Sequence, residues 1–182
     1  MAETTITLPS SKESEMMVLG CMLSSSHALN ISCKVLSESD FFFIEHKLIF
    51  QSIKFTWNTQ GVGDVYITCE DLKNRDKLKS VGGAAYITTL AQYAGTSAYV
   101  EEYIDTLKQH SNKRRVVELA IDLQKKAISE EDIQKTIISA QESLKLIERN
   151  KGAKDKFPIK FLNEFNENFL IVEPTKKAML LE

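Results

Sequence analysis

Apolar residues recur at intervals of three and four along almost the whole 182-residue chain, which is the spacing of one face of an α-helix. The clearest runs are Met16, Leu19 and Leu23, and then Ile49, Phe50, Ile53 and Trp57. The chain contains only 7 glycines and 3 prolines, whereas an all-β fold needs many turn residues. The sequence therefore predicts an all-α protein.

Turn and capping residues divide this pattern into short helices. Ser10 and Glu13 have the spacing of a capping box, which predicts the start of the first helix. Ser26 is predicted to cap a second helix, and Asp64 to cap a helix over residues 65–74. Together these elements predict a compact multi-helix head at residues 9–98, preceded by a flexible N-terminus at residues 1–8.

A long helix and a second helix are expected at residues 99–149, as an antiparallel two-helix hairpin. The apolar stripe of the long helix is interrupted at His110, Ser111 and Arg114, which predicts that its middle turns leave the core of the head. Ser129 and the acidic residues after it predict the start of the second helix, because an N-cap and early acids match its dipole.

The second helix of the hairpin carries a narrow apolar seam with alternating steps of four and three residues. Its members are Ile133, Ile137, Ala140, Leu144 and Ile147. This spacing is typical of helices that pair along one stripe. The seam either packs only on the preceding helix of the same chain, or also packs on another subunit. The spacing alone leaves both possibilities open.

Residues 150–182 have a different composition from the helices before them. A charged segment at residues 150–156 predicts a linker, and Phe169–Val172 has the apolar character of one short strand. Pro174 prevents this segment from continuing as a helix. Because a lone strand leaves its edges unpaired, we expect the tail either to be disordered or to begin a further domain.

No catalytic motif is present in the sequence. The phosphate-binding loop GxxxxGK[ST] and the nucleophile motif GxSxG are both missing. His46 begins a predicted helix on its apolar face and is interpreted as a packing or capping residue. Cys21, Cys33 and Cys69 lack the close spacing of zinc ligands. We therefore expect no catalytic residue, no cofactor-binding residue and no metal site in this chain.

Charge and hydropathy restrict the partners of the chain. The net charge is −2, and no apolar window is long enough to span a membrane. The main basic excess lies at residues 145–160 and is interpreted as a solvated helix end with a linker, so that DNA binding should be weak and sensitive to salt. Three cysteines and the lack of a secretory signal favour the cytoplasm.

An ordered set of short motifs extends over roughly residues 8–120. Its parts are Leu8–Ser11 before Val18-Leu19-Gly20, Asp40-Phe41-Phe42 before His46, Val81-Gly82-Gly83 before Tyr86, and Tyr103 before Arg114. In this order and at this spacing the motifs resemble the N-terminal domain of DnaB-type replicative DNA helicases. The resemblance is carried by the whole set, with Val-Gly-Gly-x-x-Tyr at its centre.

The resemblance implies a collar domain that associates with itself as a dimer or a higher ring and takes part in DNA replication in bacteria. The implied partners are primase and sometimes a helicase loader, with DNA bound weakly or through the full-length protein. The seam residues and Arg114 are then interface candidates. ATP and magnesium would be needed only by a RecA-like motor domain following residues 150–182, so this chain itself should not be an enzyme. The alternative is a stand-alone helicase-binding adaptor, similar to the helicase-binding domain of bacterial primases.

Overall fold

The computed structural model describes residues 7–129 and 132–149, and this part of the chain contains seven α-helices, one short 3₁₀ helix and no strand. The 3₁₀ helix is Glu38–Asp40. The α-helices are α1 Lys12–Ser24, α2 Ser26–Val35, α3 Ile44–Gln60, α4 Val65–Asn74, α5 Gly83–Tyr93, α6 Val100–Ile128 and α7 Ile133–Arg149. The predicted all-α class, with a multi-helix head and a hairpin of α6 and α7, is confirmed.

Helix α1 lies at the centre of the head and packs against α2, α3, α5 and α6. The core consists of apolar side chains that these helices bury completely or almost completely. They include Val18, Leu19 and Met22 of α1, Ile49, Phe50 and Ile53 of α3, Ile87 and Leu90 of α5, and Ile104 and Leu107 of α6. The apolar periodicity that predicts the helices is therefore also the pattern of burial.

A glycine allows the closest helix contact in the head. At Gly20 of α1, a Cβ atom would lie 2.2 Å from the carbonyl oxygen of Leu90 and 2.9 Å from Cβ of Ala94, both in or next to α5. No other residue fits this position unless the two helices separate.

Two of the three helix caps predicted in the head are displaced by one residue. Helix α1 is capped by Ser11, not Ser10, and α2 by Ser25, not Ser26; each serine Oγ accepts the amide three residues later, at 3.2 and 3.4 Å. Asp64 caps α4 as predicted, at 2.9 Å from the corresponding amide. Neighbouring serines are chemically equivalent caps, so the residues that must face the core decide which serine is used.

The turn between α6 and α7 also differs from the prediction. Ser129 ends α6, because its amide donates to the carbonyl groups of Lys125 and Lys126. Asp132 takes the capping role, since its Oδ1 accepts the amide of Gln134 at 2.9 Å. The predictions for residues 1–6, for the linker at 150–156 and for the strand Phe169–Val172 lie outside the described residues.

Candidate interaction surface

Helix α7 touches α6 along a stripe that lies beside the predicted seam. The stripe consists of buried Thr136 with the half-buried residues Ala140, Ser143 and Ile147. The α6–α7 contact is made by small and polar side chains for most of its length. Only Ala140 and Ile147 of the predicted seam take part in it.

The other three seam residues are exposed on the surface of the hairpin. The side chains of Ile133, Ile137 and Leu144 are 54%, 43% and 37% exposed. They lie within about 40° of one another around the helix axis, because each residue advances an α-helix by about 100°. We call these three residues the α7 apolar face. The intrachain hairpin therefore covers only one side of the seam.

Asp40 attaches the middle turns of α6 to the head. Its side chain is completely buried, and it accepts hydrogen bonds from Lys108 Nζ at 2.7 Å, Ser111 Oγ at 2.8 Å and Arg115 Nη2 at 3.1 Å. The amide of Ser37 adds a fourth bond at 2.8 Å. Burial by itself raises the pKa of the Asp40 carboxyl. The hydrogen bonds from Lys108, Ser37 and Ser111 and the charge of Lys108 lower it by more, so the pKa lies below its usual value.

Arg114 belongs to the same attachment and is only 5% exposed. Its guanidinium donates to the carbonyl oxygen of Asp40 at 2.6 Å and to that of Pro9 at 3.0 Å. The prediction that the turns around His110, Ser111 and Arg114 leave the core is therefore wrong. These turns pack on the head through polar contacts, which an analysis of apolar periodicity does not detect.

A second buried polar group connects α1, α3 and α5. Glu15 and His46 are both completely buried, and the Glu15 carboxylate lies 2.7 Å from His46 Nδ1. His46 Nε2 lies 2.7 Å from the hydroxyl of Tyr86. Glu15 also accepts the amides of Phe42 at 2.6 Å and Phe43 at 3.4 Å. Both ring nitrogens of His46 are therefore hydrogen-bonded, and the tautomer of the imidazole decides which atom of each pair donates.

The interpretation of His46 as a packing residue with satisfied hydrogen bonds is confirmed. A carboxylate, an imidazole and a hydroxyl in line resemble a catalytic relay. Here, however, Glu15 and His46 are completely buried, and the Glu15 carboxylate holds the backbone amides of residues 42 and 43. The sequence contains one signal for this group. Glu15 lies three and four residues before the core residues Val18 and Leu19, so its carboxylate faces the interior and needs a partner there.

The cysteines do not form a site with acidic or histidine neighbours. Burial raises the pKa of the Cys21 thiol to about 11, and it also raises the pKa of Cys69. Within residues 7–129 and 132–149, no group of three His, Cys, Asp or Glu residues is arranged to hold a metal ion. No helix in this part of the chain is long and apolar enough to cross a membrane.

A compact helical head followed by a hairpin is a known arrangement among solved structures. The crystal structure of the N-terminal domain of DnaB helicase from Mycobacterium tuberculosis matches with a TM-score of 0.69 and 24% sequence identity. The match covers 75% of this chain and 97% of that domain. At this identity the likeness establishes the fold, which is that of a helicase N-terminal domain.

The sequence establishes the family. Residues 7–109 match the model of the DnaB-like helicase N terminal domain, and the chain belongs to this family. It is 31% identical over 101 residues to the replicative DNA helicase DnaB of Buchnera aphidicola, covering 56% of this chain and 22% of that protein. It is 30% identical over 95 residues to the replicative DNA helicase DnaC of Bacillus subtilis, covering 52% of this chain and 21% of that protein. The matched region is therefore about a fifth of the length of these relatives.

Proposed function

We propose that this chain is the N-terminal collar domain of a replicative DNA helicase and that it associates with itself through the α7 apolar face. The observation that supports this proposal is the exposure of Ile133, Ile137 and Leu144 on one side of a well-formed hairpin. Isolated apolar residues are common on protein surfaces, but three in line at heptad spacing are the pattern of a helix that pairs with another helix.

The hairpin itself favours a second subunit over an intrachain role for this face. Helix α6 already occupies the adjacent side of α7 through Thr136 and Ile147. The α7 apolar face could turn towards α6 only if the whole helix rotated, and that rotation would move Thr136 and Ile147 away from α6. A twofold pair of hairpins would cover the α7 apolar face of both copies at once, because the same patch serves on each side of a twofold interface.

The test is to place a charge in the α7 apolar face and to measure association of the full chain. Ile137→Asp would put one carboxylate from each subunit into the interface, and an unpaired buried charge costs about 3–5 kcal/mol. Sedimentation equilibrium should then show the dimer constant weakened by about a hundredfold or more. Because Ile137 is partly exposed in the single chain, the Ile137→Asp variant should still fold, with a melting temperature close to that of the wild type.

The neighbouring residue provides a matched control. Ile138 is 54% exposed and lies about 100° around the helix from Ile137. Ile138→Asp introduces the same charge on the same helix turn, but away from the α7 apolar face, so association should be nearly unchanged. A wild-type chain that stays monomeric at the highest concentration, or two variants with equal effects, would remove the basis of the proposal.

The collar role extends the proposal to other proteins. In this role the assembled domains dock primase, and in some members of the family a helicase loader, in the bacterial cytoplasm. ATP and magnesium are used by a motor domain of the parent protein. The family membership and the self-association surface support this assignment over a stand-alone adaptor. Co-sedimentation of the chain with primase should depend on Ile137, because docking to a collar needs the assembled form; an adaptor would bind as a monomer regardless of this residue.

A further inference from the structure

The turn between α4 and α5 concentrates positive charge on an otherwise acidic head. Of the nine basic residues among residues 1–110, four lie within seven positions, and Asp76 is the only acidic residue among them. They are Lys73, Arg75, Lys77 and Lys79, and all four are exposed. Within residues 7–129 and 132–149, none of the three lysines forms an ion pair with a carboxylate.

The turn has a fixed shape. Its two ends are anchored in the core by Leu72 and Val81, each 1% exposed. Backbone hydrogen bonds close it, from the amide of Lys77 to the carbonyl of Leu72 at 2.8 Å and from the amide of Gly83 to that of Leu78 at 2.9 Å. The three lysines are therefore attached to a defined backbone, within seven positions of one another.

An exposed aromatic ring lies next to Arg75, one of these four basic residues. Phe55 of α3 is 47% exposed, and the guanidinium carbon of Arg75 lies 4.4 Å from the centre of its ring. A planar guanidinium over a ring leaves flat surfaces on which a nucleic-acid base can stack.

Arg75 is held in this position from the other side. Its Nε and Nη2 atoms each lie 3.0 Å from Oδ1 of Asp71. Asp71 in turn accepts a hydrogen bond at 2.7 Å from the hydroxyl of Ser52, which is completely buried. An exposed arginine normally samples many rotamers, but here a carboxylate anchored in the head orients the plane of the guanidinium.

From these contacts we infer that the α4–α5 turn, together with Phe55, binds single-stranded nucleic acid, with the lysines on phosphates and the Phe55–Arg75 pair stacked on a base. A cluster of lysines alone attracts any polyanion. The oriented flat pair is what favours a nucleic acid, because every base offers a π-face while an acidic peptide does not. This site shares no residue with the basic excess at residues 145–160 or with the α7 apolar face.

The binding test uses the full chain and a fluorescein-labelled oligothymidylate of about twenty nucleotides, which exceeds the site size of a small domain. Fluorescence anisotropy is measured over a range of salt concentrations. The triple variant Lys73→Ala, Lys77→Ala, Lys79→Ala should bind at least about tenfold more weakly at low salt. The slope of log K against log salt should become less steep by about 2, because each of the three lost single-strand phosphate contacts contributes about 0.7 to its magnitude.

Two single variants test the stacking pair while keeping the charge constant. Phe55→Leu and Arg75→Lys should each weaken binding by about fivefold or more, whereas Phe55→Tyr should bind like the wild type because it keeps the ring. The matched charge control is Lys113→Ala, Lys125→Ala, Lys135→Ala, which removes three exposed lysines elsewhere and should have little effect. Circular dichroism checks that each variant is folded.

Three results would overturn the inference. The first is no binding by the wild type at low salt. The second is binding that disappears in Lys145→Ala, Lys151→Ala, Lys154→Ala but persists in the triple variant of the turn. The third combines two observations: Phe55→Leu and Arg75→Lys have no effect on binding, and polyglutamate displaces the labelled oligothymidylate as well as unlabelled oligothymidylate of the same net charge does. That result would make the turn a docking surface for an acidic protein.

Discussion

The attachment of α6 to the head can be tested by changing a single side chain, that of Asp40. Asp40→Asn keeps the size of the side chain but replaces one carboxylate oxygen with an NH₂ group and removes the charge. In the wild type, one oxygen accepts from Lys108 and Ser37 and the other from Ser111 and Arg115. In either orientation, the new NH₂ group faces at least two donors, and the Lys108 ammonium loses a buried carboxylate partner.

The expected cost follows from this loss. Removing one member of a buried ion pair destabilises a protein by about 3–5 kcal/mol. Domains have a total stability of about 5–15 kcal/mol, so the variant should remain folded but with a much smaller margin. The melting temperature should fall by about 6–20 °C. Urea unfolding followed by circular dichroism measures the free energy of unfolding directly.

The pH dependence of stability provides an independent test of the role of the Asp40 carboxylate. Since the pKa of Asp40 is lowered in the folded state, its contribution is fully present above the unfolded value of about 4 and is lost as the pH falls through the folded value. The difference in stability between the wild type and Asp40→Asn should therefore be constant near neutral pH and shrink below about pH 4.

An exposed Asp–Lys pair of α6 serves as the control. Asp122 lies 2.9 Å from Lys126 one turn later, and its side chain is 52% exposed. Asp122→Asn should cost less than about 0.5 kcal/mol, as exposed helix pairs do. If Asp40→Asn costs no more than Asp122→Asn, the polar attachment does not hold α6 to the head, and our explanation of the buried Ser111 and Arg114 fails.

Two further predictions concern the packing of α1. Gly20→Ala should destabilise the chain by several kcal/mol, or prevent folding, because its Cβ would overlap the Leu90 carbonyl oxygen at 2.2 Å; a melting temperature within a few degrees of the wild type would contradict the α1–α5 contact. Cys21, whose thiol pKa is raised to about 11 by burial, should react with a disulfide reagent at pH 8 only when the head opens; labelling of Cys21 as fast as that of an unfolded chain would contradict its burial.

The sequence predicts the helices of the head well because each of them follows local rules. Asp64 can be identified as a cap from its position before an apolar helix, and the spacing of Ile49, Phe50 and Ile53 predicts both a helix and its buried face. The errors at Ser10 and Ser26 are one residue each, because neighbouring serines cap equally well and only the tertiary register selects between them.

Long-range polar pairing is what the sequence does not reveal. Asp40 and Ser111 are more than seventy positions apart, so the polar stretch of α6 looks solvent-exposed until the fold brings a carboxylate to it. The seam of α7 shows the same limit. Its spacing predicts a helix with an apolar stripe, but the choice of Thr136 and Ile147 as the residues that face α6 depends on how the hairpin closes.

The most direct test of self-association is to capture the contact of the α7 apolar face. A photoreactive benzoylphenylalanine is placed at position 137 in one sample and at position 138 in another, and the illuminated 182-residue chains are analysed by mass spectrometry. We expect covalent dimers of the 20.6 kDa chain from position 137, joined to α7 of the second copy, and far fewer from position 138. Cross-links from position 137 only to α6 of the same chain, or none at all, would contradict this expectation.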